Sequence, residues 1–210
     1  MKVFLVGYGR VNQLIHQKIK HSIVGVCDLN NNYISDKPDL IIDFSNPKAL
    51  DFTIELSLKY NSRVLIGTTG YNKKELCKIK ELSKKVPVLL ISNFSLGMML
   101  INKFLKENGK YFIDYDKYII EIHHKNKVDS PSGTARTMAR YIDCKNITSI
   151  RSKDVIGVHE LILINDDEII NIKHSITSRN NYINGVLKAI EWLSNKEKGM
   201  YSLEDLIDEI

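Results

Sequence analysis

A chain of 210 residues with 43% hydrophobic and 26% charged residues has material for one sizeable core or two modest domains, and its composition is neither disordered nor fibrous. Its formal net charge of +5 comes from 30 basic and 25 acidic residues that are interspersed, which argues against a nucleic-acid partner and suits an acidic small molecule. The three cysteines, Cys27, Cys77 and Cys144, lie far apart without metal-site spacing, and no stretch approaches the roughly 20 apolar residues of a membrane span, so a cytoplasmic protein with no membrane contact is expected.

Lys2 to Val6 is a short β-rich run that breaks at Gly7-Tyr8-Gly9-Arg10, after which Val11, Leu14, Ile15 and Ile19 recur at helical spacing. A second strand, Ile23 to Cys27, ends at Asp28 and enters the turn-prone Leu29-Asn30-Asn31-Asn32. Leu40 to Phe44 follows, then a helix over 47–60 capped by Ser45 or Asn46, then Val64 to Gly67 leading into Thr68-Thr69-Gly70. A helix over 73–84 and a strand over 86–91 complete the first part. Continuous apolar strands alternating with helices predict a parallel sheet covered on both faces, a nucleotide-binding arrangement.

The pattern changes after Asn93-Phe94-Ser95. Gly97 to Leu105 reads as an apolar helix, Tyr118 to Ile122 as a strand, and Val158 to Ile164 with Ile169 to Ile176 as a β-hairpin. The middle segment is therefore expected to hold an antiparallel or mixed sheet. From Tyr182, the residues Ile183, Val186, Leu187 and Ile190 share a helical face, and Ser202 to Asp205 starts a short last helix expected to pack on the first domain.

A strand that ends in Gly7-x-Gly9 and hands over to a helix points backbone N–H groups and the positive helix end at one spot, which suits a pyrophosphate. Asp28, at the end of the next strand, can accept from both ribose hydroxyls; its charge repels a 2′-phosphate and Leu29 supplies no cation, so NADH is expected in preference to NADPH. The alternative is a tight β–α turn without a ligand. Asn12 stands where the third glycine of GxGxxG would be, and predicts a helix held slightly farther from its strand with looser cofactor binding.

The segment Glu121-Ile-His-His-Lys-Asn-Lys-Val-Asp-Ser-Pro-Ser-Gly-Thr-Ala135 carries the densest chemistry. His123 and His124 leave a strand end facing opposite ways, Lys127 can fold back beside either ring, and Asp129 can orient a histidine or lysine or cap the turn. Ser130 or Ser132 can cap the helix that follows, with Pro131 in its first turn, and the N–H groups of Gly133 and Thr134 offer an anion site. No third ligand of suitable type lies near the histidines, so no metal is expected. His159 and His174 are expected to be structural or exposed.

The string Glu121-x-His123-His124-x-x-Lys127-x-Asp129-x-Pro131-Ser132-Gly133-Thr134-Ala135 resembles the signature of the dihydrodipicolinate reductases. The likeness continues through Gly7-x-Gly9-Arg10, Ile42-Asp43-Phe44-Ser45, Gly67-Thr68-Thr69-Gly70, Asn93-Phe94-Ser95-x-Gly97 and Ser178-Arg179-x-x-Tyr182-x-x-Gly185, in order along most of the chain. The resemblance implies an α/β protein with a Rossmann-type parallel-sheet domain built from residues 1–95 and 179–210 and an inserted mixed α+β substrate domain at 96–178. It implies cofactor contacts at Gly7, Gly9, Arg10, Val11, Asp28, Phe44, Gly67, Thr68, Thr69, Ile91, Ser92, Asn93 and Phe94. It implies catalysis by His123 and Lys127, and binding of a small dicarboxylate by His124, Gly133 and Thr134.

The implied activity is reduction of 4-hydroxy-tetrahydrodipicolinate to tetrahydrodipicolinate in lysine and diaminopimelate biosynthesis, with NADH preferred and NADPH possible. Competing readings are a reductase of another imino acid and a catalytically silent dinucleotide-binding module. Against typical members the stretches before Ile23, between Asp28 and Leu40 and after Ile142 look trimmed, the last being where the family's tetramer contacts extend; the resemblance implies a homo-oligomer, and the trimming sets a dimer beside the usual tetramer. Met99 stands where an asparagine is usual.

Overall fold

The computed structural model describes residues 1–30 and 32–209, so Asn31 of the turn-prone cluster lies outside the described residues. Contacts divide the chain into two units, Met1–Phe94 with Tyr182–Ile210, and Ser95–Asn181.

The first unit is built on a seven-stranded sheet. Its strands are β1 (Val3–Val6), β2 (Ile23–Cys27), β3 (Asn32–Ile34), β4 (Leu40–Asp43), β5 (Arg63–Ile66), β6 (Pro87–Leu90) and, from the end of the chain, β11 (Gly199–Tyr201). Their order is β11-β6-β5-β4-β1-β2-β3, and every neighbouring pair is parallel except β2 with β3. The central strands β1 and β4 are buried on both faces, which is why they read as unbroken apolar runs instead of alternating ones. Around the sheet run α1 (Arg10–Lys18), α2 (Leu50–Tyr60), α3 (Lys73–Ser83), α6 (Asn180–Ser194) and α7 (Leu203–Asp208). One core cluster joins Leu50 of α2 and Ile79 and Leu82 of α3 to Val64, Ile66 and Val88 of the sheet.

Local chemistry sets the helix boundaries. Pro47–Ala49 is a 3₁₀ turn capped by Asn46, not the first turn of α2. Asn72 caps α3 in a reciprocal box with Glu75, and Ser202 does the same for α7 with Asp205. Two departures from the sequence reading are strands: Asn32 to Ile34 pairs with β2 instead of remaining a turn, and Gly199 to Tyr201 pairs with β6.

The second unit packs α4 (Leu96–Asn108) and α5 (Gly133–Ile142) against a four-stranded sheet of β7 (Asp116–His123), β8 (Asn146–Arg151), β9 (Gly157–Ile164) and β10 (Ile169–Ile176). The order is β10-β9-β7-β8, antiparallel except for the β7–β8 pair. Burial alternates along β9 with period two, so Leu161 and Leu163 turn inward to meet Met98, Leu105, Met138 and Ile142. Met99 is itself fully buried. The helix α5 begins at Gly133 with Ser132 as its cap, so Pro131 precedes the cap and is not in the first turn. Strand β8 was not expected.

Candidate functional site

In the first unit the order of strands reverses at β1, whose chain neighbour β2 lies on one side and β4 on the other. Crevices for dinucleotides open at the carboxyl ends of strands at such a reversal. At that edge Gly7 N–H donates to Cys27 O at 2.8 Å, Phe44 N–H to Val6 O at 3.2 Å, and Gly67 and Thr68 N–H to Asp43 O at 2.9 and 3.2 Å. The segments carrying Gly7, Phe44, Gly67 and Thr68 are thus brought to one strand edge, with the Phe44 and Phe94 rings 5.3 Å apart.

Gly7 has φ of +81°, and a Cβ there would run into Phe44 O and Ser45, so only glycine makes this turn. A Cβ on Gly9 would meet nothing within 4 Å. Gly9 caps α1 without any side-chain hydrogen bond, and the first turn holds no acid, so the helix end presents N–H groups beside open space. That combination fits a pyrophosphate. Gly185 of α6 has no room for a Cβ because the backbone of Phe94 fills the space, which ties the 91–94 stretch to that helix.

The sequence reading missed Asp43 as an organiser of this edge. Its buried carboxylate accepts from Ser45 N–H at 3.1 Å, Ser45 Oγ at 2.5 Å, Thr53 Oγ1 at 2.7 Å and Thr68 Oγ1 at 2.8 Å. An acid closing an apolar strand, with hydroxyl residues 2 and 10 positions on, was the available signal.

Asn12 does not hold α1 away from β1. It is fully buried, and its Nδ2 donates to Val6 O at 2.9 Å and Gly7 O at 2.8 Å, stitching the helix to the strand end.

In the second unit Glu121 and His123 lie two apart on β7, so they share a face. The His123 ring hydrogen-bonds Glu121 through Nδ1. Arg151, opposite His123 on β8, donates to both Glu121 oxygens at 3.0 and 2.8 Å and to Asp129 O at 2.8 Å. Burial alone would raise the Glu121 pKa, but Arg151, the Ser149 hydroxyl and His123 together bring it down to about 2. Glu121 is therefore ionised at neutral pH, and it is Nδ1–H of His123 that donates. Burial pushes the His123 pKa down; Glu121 opposes this, while Lys127 and Arg151 add to it, and the balance stays below the usual value.

His159 of β9 and His174 of β10 pair across the hairpin and form one row with Glu121. His159 is buried and His174 half-buried, so both take the structural alternative. His159 Nε2 hydrogen-bonds Ser132 Oγ at 3.0 Å and His174 Nε2 hydrogen-bonds Ser95 Oγ at 3.1 Å. Those hydroxyls are the N-caps of α5 and α4, accepting from Ala135 N–H and Met98 N–H. Burial, reinforced by the His123 charge, drives the His159 pKa down to about 3, so it is neutral.

Beyond the strand, His124 is half-buried and Lys127 Nζ lies 2.7 Å from Asp129 Oδ1. Gly133 N–H is not free: it donates to Asp129 Oδ2 at 3.2 Å. Burial works against ionised Asp129, yet Lys127 and Gly133 hold its pKa below the ordinary value. A Cβ on Gly133 would meet nothing within 4 Å, so the backbone is open to an approaching anion. Among the described residues no three His, Cys, Asp or Glu side chains are grouped to hold a metal.

Comparison with known proteins breaks the chain near the first boundary between the two units, after residue 94. The family profile for the dihydrodipicolinate reductase N-terminus matches residues 1–94, and that for its C-terminus matches residues 97–207. The chain is 36% identical over 230 residues to a 4-hydroxy-tetrahydrodipicolinate reductase from Brachyspira hyodysenteriae, covering 99% of this chain and 100% of the relative. It is 37% identical over 198 residues to the enzyme of that name from Rickettsia rickettsii, covering 85% and 82%. A solved dihydrodipicolinate reductase from a Paenisporosarcina species, with dipicolinate bound, shares the fold at a TM-score of 0.75, 22% identity and coverage of 96% and 97%.

Proposed function

The chain belongs to the dihydrodipicolinate reductase family, and from that premise we propose that it reduces 4-hydroxy-tetrahydrodipicolinate to tetrahydrodipicolinate, with loss of water, in lysine and diaminopimelate biosynthesis. The observation that supports this most directly is Asp129. Its carboxylate bridges the Lys127 ammonium and the Gly133 N–H at the head of α5, so a carboxylate already sits where a dicarboxylate substrate would be held. The side chain stands in for one substrate carboxylate and gives way to it.

In this reading Gly7, Gly9, Arg10, Val11, Phe44, Gly67, Thr68, Thr69 and Ile91 to Phe94 hold the nicotinamide dinucleotide, and Asp28 takes its ribose hydroxyls. The bound dinucleotide supplies a hydride to the substrate ring. His124, Gly133 and Thr134 hold the substrate carboxylates. As electron density moves to the ring nitrogen, His123 and Lys127 provide the proton and the stabilising charge.

NADH is preferred over NADPH, because Asp28 follows β2 directly and the next side chain, Leu29, is exposed and uncharged. The protein works in the cytoplasm, where its three free cysteines remain reduced. It assembles as a homo-oligomer, dimer or tetramer. Tyr118, Ile120, Ile122, Ile162 and Ile164 all point to the sheet face opposite α4 and α5, and all are half-buried or exposed.

The test is NADH oxidation with enzymatically generated substrate, alongside calorimetry with dipicolinate. Turnover is expected in the wild type and lost in His123→Ala and Lys127→Ala. Gly133→Ala should fold normally yet bind dipicolinate at least about tenfold more weakly, because the new methyl occupies the anion's approach. NADH binding without turnover would return the silent-module reading, and equal affinity for NADPH would remove the role given to Asp28.

A further inference from the structure

We propose that Glu121 and Arg151 are positioning residues that hold His123 in its Nδ1–H tautomer and set the 127–129 loop from the same buried carboxylate. This deepens the proposed reductase function and rests on that reading for what the tautomer is used for.

On β7 the spacing Glu-x-His puts carboxylate and imidazole on one face, and Nδ1 is the ring atom that meets Glu121. An ionised carboxylate can only accept, so the ring proton of neutral His123 is on Nδ1 and the lone pair is on Nε2. On protonation the new proton goes to Nε2, the atom able to donate it. A bare imidazole would divide between two tautomers; the carboxylate selects one.

Glu121 reaches further than His123. Its Oε1 accepts from Ser132 N–H at 3.3 Å, just before the anion-binding head of α5, and from Arg151. The same Arg151 nitrogen donates to Asp129 O, on the segment that carries Lys127. Proton donor, cation and anion cradle are therefore all referenced to one fully buried carboxylate.

A purely structural ion pair would not need this composition. Buried pairs contribute little net stability compared with apolar replacements, so a pair kept in a core with a histidine as its third member invites a role beyond stability. The groups facing His123 are Glu121 on its own strand, Arg151 from β8, His159 edge-on from β9 with ring centroids 5.0 Å apart, and Lys127 from the loop. Burial, helped by the two cations, outweighs Glu121 and holds the resting imidazole below its usual pKa. Arrival of a doubly negative substrate reverses that balance, so His123 takes up a proton together with substrate.

The experiment uses the full-length protein labelled with ¹⁵N-histidine, with the His123 signals identified by their loss in His123→Gln. Without substrate, NMR should show Nδ1–H for His123 in the wild type and in Glu121→Gln, whose amide oxygen still accepts. The double variant Glu121→Leu/Arg151→Met leaves no orphan charge and should keep its fold and its NADH affinity while losing the tautomer preference. Its kcat should fall by about 10- to 100-fold, with substrate KM within about threefold and the acid limb of the kcat profile displaced; Glu121→Gln should fall between it and wild type. An Nε2–H tautomer in the wild type, or a double variant with wild-type kcat and pH profile, would overturn the proposal. Absence of turnover in the wild type would instead sink the reductase reading, and the substrate-free tautomer measurement still decides the positioning role.

Discussion

Glu121 and Arg151 sit on adjacent parallel strands, 30 positions apart, with both terminal guanidinium nitrogens on one fully buried carboxylate at 2.8 and 3.0 Å. The energetics of such a pair are asymmetric. Arg151→Met alone strands the Glu121 charge and should cost about 3–5 kcal/mol in urea unfolding, whereas Glu121→Leu/Arg151→Met should recover most of that loss. A double variant no more stable than Arg151→Met would mean that the carboxylate was never the source of the penalty.

The buried histidines make stability depend on pH in a definite direction. The folded-state pKa of His159 is depressed from 6.5 to about 3, so between those values the unfolded chain binds a proton that the folded chain refuses. Stability is therefore complete above pH 6.5 and falls as pH drops, by about 1.4 kcal/mol per unit for this group. Glu121 adds to the loss only below about pH 4.5, where the unfolded carboxyl begins to protonate. Urea midpoints from pH 5 to 7.5 therefore isolate the histidines. His159→Gln, whose amide can still reach Ser132, should flatten that slope by about one proton; an unchanged slope would show that His159 is not held neutral.

Each serine cap of the second unit satisfies two partners. Ser132→Ala removes a cap, worth about 1 kcal/mol, and leaves a buried imidazole nitrogen of His159 unpartnered, a further penalty of about 1–3 kcal/mol. Ser95→Ala does the same to α4 and His174. Both should destabilise more than Ser202→Ala, whose capping box is exposed to solvent. Thermal unfolding of the three variants checks the ranking, and equal losses would argue that the histidine contacts carry no stability.

These cross-strand contacts mark the limit of what the sequence discloses. The parallel sheet was legible because β1, β4, β5 and β6 are continuous apolar runs between helical periods, and the HHxxK segment because its residue types are concentrated within a few positions. Strand β8 was not, since Asn146 to Arg151 alternates weakly with a half-exposed inner face and is held by parallel pairing to a strand nearly 30 residues earlier. Without β8 there is no Arg151 beside Glu121. His159 and His174 look like ordinary hairpin residues until register puts them in one row with Glu121 and the helix caps above them.

On the proposed function, Asp129 competes with the substrate carboxylate for Lys127 and the Gly133 N–H. Asp129→Asn keeps a group able to accept from Gly133 N–H but releases the charge from Lys127, so dipicolinate should bind about three- to tenfold more tightly by calorimetry. The gain should shrink in high salt, since it is a gain of one half-buried but solvent-accessible cation. Weaker binding in Asp129→Asn would show that the aspartate orders the loop more than it occupies the site.

Asn12 separates two accounts of the glycine turn. If asparagine were a spacer in the place of glycine, Asn12→Gly would draw helix and strand together and tighten NADH binding. The hydrogen bonds predict otherwise. Val6 O keeps a second donor in Phe44 N–H, but Gly7 O depends on the amide, so Asn12→Gly should cost about 1–2 kcal/mol of stability. NADH affinity should change by less than about threefold, because the uncapped N–H groups of α1 and the open space at Gly9 are untouched. Asn12→Asp should be worse, by about 3 kcal/mol or more, since a buried carboxylate would face two carbonyl oxygens with nothing to donate. Unfolding curves and NADH fluorescence titrations on the two variants decide between the accounts: a stability loss without an affinity change marks Asn12 as a stitch, and a tightened NADH complex in Asn12→Gly marks it as a spacer.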